Sequence, residues 1–134
     1  MVSTPGRILL IEDDADSAEA LTLLLQLLGF ETTWVRDGAG AYETLRGLRR
    51  LGAPYPDLVL LDLNLPVIDG AAVGRELVQD PRMGPIVLVS AATEQQLHQA
   101  TEEMGAAGWL RKPFGADELR RALENIPRRL TVTA

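Results

Sequence analysis

Short runs of consecutive apolar residues alternate along the chain with segments whose apolar residues recur every three or four positions. That is the pattern of βα units laid on a parallel sheet, and five units are predicted. Residues 7–12 read as the first strand, and Ala18, Leu21, Leu25 and Leu28 line one side of a helix that stops at Gly29. Thr32, Thr33, Trp34 and Val35 favour a strand over residues 31–36, and Ala41, Leu45 and Leu48 mark the second helix. Beyond the Gly- and Pro-rich break at 52–56, residues 57–62 are almost continuously apolar, which implies burial on both faces and a central place in the sheet. Val73 and Leu77 mark a third helix closed by Asp80 and Pro81, and residues 86–89 form a fourth strand. Leu97, Ala100, Thr101 and Met104 define the inner face of a fourth helix, with Gln95, Gln96, His98, Gln99, Glu102 and Glu103 outward. Gly105 and Gly108 bracket its exit, and a short fifth strand at 109–111 leads to Lys112 and Pro113. Leu119, Ala122, Leu123 and Ile126 give the last helix, ended by Pro127.

Composition narrows the class. At 134 residues, 46% hydrophobic and 24% charged, the chain is expected to be one globular domain over residues 6–127 with a short tail at 128–134. No repeat or low-complexity segment interrupts it, and an output domain is expected to lie elsewhere than in this chain. With no cysteine there is neither a disulfide framework nor a thiolate metal site, so a reducing cytoplasm is compatible and a cytoplasmic location is expected. No apolar stretch approaches the roughly 20 residues of a membrane span. A net charge of −6 repels a phosphate backbone and no arginine stripe offsets it, so direct nucleic-acid binding is not expected.

The chemistry-bearing residues stand at strand ends. Glu12 and Asp13 follow the first strand, Asp62 the third, Ser90 the fourth and Lys112 the fifth. A parallel sheet gathers the carboxyl ends of its strands along one rim. Three carboxylates brought together raise one another's pKa unless a hard divalent cation neutralises them. The set suits phosphoryl transfer, which needs a nucleophile, a metal and donors to the phosphoryl oxygens. Asp62 can attack phosphorus to give an acyl phosphate, Asp13 can bind Mg²⁺ (or Mn²⁺) directly, and Glu12 can bind it through water. Ser90 can donate its hydroxyl to a phosphoryl oxygen, and Lys112 can pair with carboxylate before reaction and phosphoryl group after it.

In these residues the chain resembles the receiver domain of two-component response regulators. The matching motifs are Ile11-Glu12-Asp13-Asp14, Leu61-Asp62-Leu63-Asn64-Leu65-Pro66 with Asp69-Gly70, Val89-Ser90-Ala91, and Arg111-Lys112-Pro113-Phe114, in family order and spacing across residues 6–127. The resemblance implies a flavodoxin-like, doubly wound (βα)5 sandwich with a five-stranded parallel sheet in the order 2-1-3-4-5. It implies Asp62 as phosphoacceptor, Glu12 and Asp13 as the metal-binding pair, the Asn64 carbonyl as a further ligand, Ser90 as the switch hydroxyl and Lys112 as the motif lysine. It also implies a cis bond before Pro113. Implied partners are a sensor histidine kinase or phosphotransfer protein and a downstream protein effector read by the fourth helix, fifth strand and fifth helix, with a phosphorylation-dependent homodimer left open. Trp109 departs from the usual Tyr or Phe, so its larger indole needs more room to swing inward, and Ala92 offers no polar group to orient hydrolytic water.

Plainer readings stand beside these. Asp14 and Asp16 cap or charge the first helix. His98 is the single histidine and lies on a polar helix face, which argues against a histidine phosphotransfer module. Arg46, Arg49 and Arg50 read as solvated helix charges. Two other functions are weighed: a docking module whose acidic site is vestigial, and an aspartate-nucleophile phosphatase. The phosphatase is disfavoured because Asn64 stands where such enzymes need a second acid, and no Gly-rich phosphate loop follows the first strand to support nucleotide binding.

Overall fold

The computed structural model describes residues 6–63 and 70–125. Five parallel strands, β1 (Arg7–Ile11), β2 (Glu31–Val35), β3 (Leu58–Asp62), β4 (Ile86–Ser90) and β5 (Gly108–Arg111), form one sheet in the order β2-β1-β3-β4-β5. Between and after them run α1 (Ala15–Leu27), α2 (Gly38–Leu51), α3 (Gly70–Val78), α4 (Glu94–Met104) and α5 (Ala116–Glu124). The expected flavodoxin-like order is the observed one.

Alternation along the central strands explains the two layers of helices. Ile8 and Leu10 of β1, Leu58 and Leu60 of β3, and Val87 and Val89 of β4 share one core with Ala18, Leu21 and Leu25 of α1 and Leu119 and Leu123 of α5. Leu9, Ile11, Val59, Leu61, Ile86 and Leu88 point the other way, onto Ala41 and Leu45 of α2, Val73 and Leu77 of α3, and Leu97 and Met104 of α4. All five residues of β3 and of β4 are buried, as near-continuous apolar runs require, whereas the edge strand β2 is mostly exposed and the edge strand β5 mostly half-buried. Burying one such Leu, Ile or Val side chain stabilises the fold by about 1.5–3 kcal/mol.

Helix ends follow local chemistry. Asp14 caps α1 by accepting from Ser17 N at 2.9 Å, Asp37 caps α2 through Gly40 N at 2.8 Å, and Thr93 and Gln96 form a reciprocal capping box on α4. Gly52 (φ 65°) and Gly105 (φ 81°) close α2 and α4 in the left-handed region, where other residues would be strained. His98 is exposed and meets Glu102 across one helical turn at 3.1 Å. Arg49 differs from its reading as a solvated charge: its guanidinium meets the nearly buried Asp80 carboxylate at 2.7 Å and Tyr55 Oη at 3.3 Å, tying α2 to the turn before β4. Ile126, Pro127 and the expected tail lie outside the described residues.

The edge strand β2 carries a flaw with a measurable effect. Thr32 Oγ1 is a buried side-chain oxygen with no hydrogen-bond partner among the described residues. An unmet buried hydroxyl costs about 1–3 kcal/mol, and valine has nearly the same shape without it. Thr32→Val is therefore expected to stabilise the protein by about 1 kcal/mol, read as a higher urea midpoint at unchanged slope. An unchanged midpoint would show that the hydroxyl is satisfied in solution.

Candidate functional site

Register brings the site together. Ile11 of β1 pairs with Leu61 of β3, so the residues that follow, Glu12 and Asp62, leave adjacent strands side by side. Asp62 in turn pairs with Val89 of β4, placing Ser90 one step beyond, and Ser90 pairs with Arg111 of β5, placing Lys112 one step beyond that. Lys112 N donates to the Ser90 carbonyl at 2.8 Å, continuing the β4–β5 ladder to the rim. Residues separated by up to a hundred positions thus converge because four strands end at one level.

Among the described residues the buried polar or charged ones are Glu12, Asp62 and Ser90, all at this rim. Buried charge is costly unless paired or metal-bound, so their concentration marks a site. Glu12, Asp13 and Asp62 each offer a carboxylate oxygen within 4.8 Å of the others, with Asp13 exposed and the other two buried. An all-oxygen, anionic donor set of this kind fits a hard divalent cation such as Mg²⁺.

Lys112 is the counter-charge. Its ammonium makes a close ion pair with Glu12 Oε1 and stands 4.0 Å from Asp62 Oδ2. Lys112, expected to pair with carboxylate before reaction, lies closer to Glu12, whose side chain is 1% exposed against 9% for Asp62. The less hydrated carboxylate has more need of the ammonium. Burial nevertheless pushes the Glu12 carboxyl up to about 7, with a hydrogen bond to Asp62 adding to the rise and Lys112 opposing it. The Asp14 carboxyl is held below its usual range by hydrogen bonds from Ser17, in keeping with a capping role.

The remaining predicted residues fall around this core. Ser90 Oγ accepts from Ala92 N at 3.1 Å, a bond that uses a lone pair and not the hydroxyl proton. The Lys112-Pro113 bond is cis. Trp109 is half-buried and packs on the core shared by α2, α3 and α4. Asn64 lies outside the described residues.

One contact had no signal in strand periodicity. Trp34 of β2 donates its indole N–H to the Glu12 backbone carbonyl at 2.7 Å, across 22 residues of sequence. The only hint was a large aromatic on a threonine-rich edge strand, two residues before Arg36, whose guanidinium lies over the ring at 5.7 Å.

Residues 8–124 match the response regulator receiver domain family. The DNA-binding response regulator MtrA of Mycobacterium tuberculosis is 42% identical over 113 residues, 84% of this chain and 46% of that protein. The transcriptional regulatory protein PrrA of Mycobacterium leprae is 36% identical over 133 residues, 99% of this chain and 54% of that protein. The chain therefore spans about half the length of these relatives. Among solved structures, the receiver domain of the sensor histidine kinase PA1611 from Pseudomonas aeruginosa, with a magnesium ion coordinated in its active site cleft, superposes with a TM-score of 0.74. It is 29% identical and the match covers 92% of this chain and 98% of that one.

Proposed function

The chain belongs to the response regulator receiver domain family, and on that premise we propose that Asp62 accepts a phosphoryl group from a kinase phosphohistidine in a Mg²⁺-dependent reaction. The observation that carries this reading is the cluster itself: three carboxylates within 4.8 Å of one another, with one ammonium reaching two of them. Glu12, Asp13 and Asp62 are the residues that would hold the ion, and the family resemblance adds the Asn64 carbonyl to them. A bound divalent cation supplies neutralisation of the clustered carboxylates and of charge developing on the phosphoryl oxygens.

The chain's own groups carry the rest of the chemistry. An Asp62 carboxylate oxygen forms a bond to phosphorus while the bond from phosphorus to the donor nitrogen breaks, and that nitrogen keeps the electron pair. The resulting acyl phosphate adds a charge of about −1.5 to −2 at the rim. Lys112, already 4.0 Å from Asp62, follows the new negative charge. Ser90 donates its hydroxyl to a phosphoryl oxygen, and because Ser90 and Lys112 are joined through the β4–β5 ladder, both shifts act on the same edge of the sheet.

This supports a switch read on α4, β5 and α5 by a downstream protein. Moving a two-state equilibrium from 1:99 to 99:1 takes about 5.5 kcal/mol, and one hydrogen bond to a charged group contributes about 1.5–3 kcal/mol. Lys112, Ser90 and the metal must therefore act together. The methyl of Ala92 cannot orient a hydrolytic water, which favours a long-lived phosphoryl group unless Asn64 compensates.

Intact-protein mass after incubation with a small-molecule phosphoryl donor tests the proposal. One added phosphoryl group in Mg²⁺, absent with chelator, is the expected result. A folded sample that takes up none would move the reading to a docking module with a vestigial acidic site, and multiple turnover of a phosphomonoester would move it to a phosphatase.

A further inference from the structure

Glu12 and Asp13 share one peptide group; its carbonyl is held from β2, and so is the N–H of the peptide just before it. The Glu12 N–H donates to the Val35 carbonyl at 3.1 Å, which is an ordinary continuation of the β1–β2 ladder. The Glu12 carbonyl, half of the peptide that joins the two acidic residues, accepts the indole N–H of Trp34 at 2.7 Å. β1 ends at Ile11, so no ladder partner is required to fix that carbonyl, and here a side chain does so.

The indole is itself oriented. Trp34 is 38% exposed on an edge strand, yet its polar atom is turned inward onto the Glu12 carbonyl and the Arg36 guanidinium covers the ring at 5.7 Å. Apolar burial alone would not aim the N–H at this atom. Asp13, by contrast, is exposed, so its direction depends on the backbone that carries it.

We propose that Trp34 is a positioning residue of the acidic site: its N–H sets the plane of the Glu12–Asp13 peptide and so preorganises the two carboxylates for a divalent cation. The proposal rests on the metal-binding reading above. Partners that orient metal ligands affect affinity strongly even though they never touch the ion.

Trp34→Phe keeps a ring under Arg36 and removes the donor. Mg²⁺ affinity of the whole chain is measured by isothermal titration calorimetry, and the phosphorylation rate is measured separately at saturating Mg²⁺. The expected result is a Kd raised about tenfold with the saturated rate within about twofold, because the reacting residues are untouched. A merely structural role predicts a lower thermal midpoint in chelator and an unchanged Kd, and that outcome overturns the inference while leaving the metal reading intact. A fall in the saturated rate with no change in Kd overturns it as well. If the unsubstituted chain binds no Mg²⁺ in the same titration, the metal reading fails and the inference falls with it.

Discussion

Asp62→Asn will take up no phosphoryl group under conditions in which the unsubstituted chain carries one, a fall of at least about a thousandfold in rate. The amide keeps the size and most of the hydrogen-bonding shape of the side chain but lacks an anionic oxygen to attack phosphorus. Loss of fold would not explain the result. Asp62 raises the Glu12 carboxyl through a hydrogen bond and through its charge, so removing its charge relieves the rim and the thermal midpoint in chelator should stay level or rise. Intact mass and a thermal melt on the same sample separate the two explanations. An adduct that survives in Asp62→Asn would reassign the acceptor, with exposed Asp13 the first candidate.

The metal-free protein will lose stability as pH rises from about 5 to 7. The Glu12 carboxyl, ordinarily near 4.5, is pushed by burial to about 7 in the folded chain. Between those values the native state holds a proton that the unfolded state has released, so stability is full below the lower value and is lost as pH climbs through the higher one. At 1.36 kcal/mol per pKa unit the loss is about 3 kcal/mol. Carboxyls held low by their partners, Asp14 and Asp80, act in the opposite sense and only in more acidic solution. Urea unfolding at pH 5, 6 and 7.5 in chelator should show the decline, and Glu12→Gln should flatten it. Mg²⁺ competes with the proton for the carboxylates, so its stabilising effect should be largest at pH 7.5. A flat profile in chelator would mean that Lys112 keeps Glu12 ionised throughout.

How much of this was legible in the sequence depends on which interactions are periodic. β3 could be placed at the centre because residues 57–62 leave no polar side to face water, and the two cores follow from alternation along β1, β3 and β4. The rim was legible too, since the acidic residues, Ser90 and Lys112 each sit just beyond an apolar run. Arg49 was not, because its partner Asp80 lies 31 residues away and nothing in helical spacing announces a tertiary ion pair. Nor was the lysine's closer approach to Glu12, which is decided by the relative dryness of two neighbouring carboxylates. The Trp34 bond joins a side chain to a backbone carbonyl on another strand, and periodicity carries no information on such contacts. Asn64, Leu65, Pro66 and Asp69 of the matching motif lie outside the described residues.

The hundred residues between Glu12 and Lys112 have a consequence during synthesis. A ribosome releases the acidic pair first and the ammonium last, and every strand pairing in this sheet is parallel and therefore non-local. While the chain is still emerging, Glu12, Asp13 and Asp62 have water as their solvent and no reason to approach one another. Only when β5 docks on β4 does Lys112 arrive to make the crowding tolerable. The ion pair at the rim thus cannot form until the hundred residues between its partners have been made, while α5, which brings Leu119 and Leu123 to the core, is still to follow.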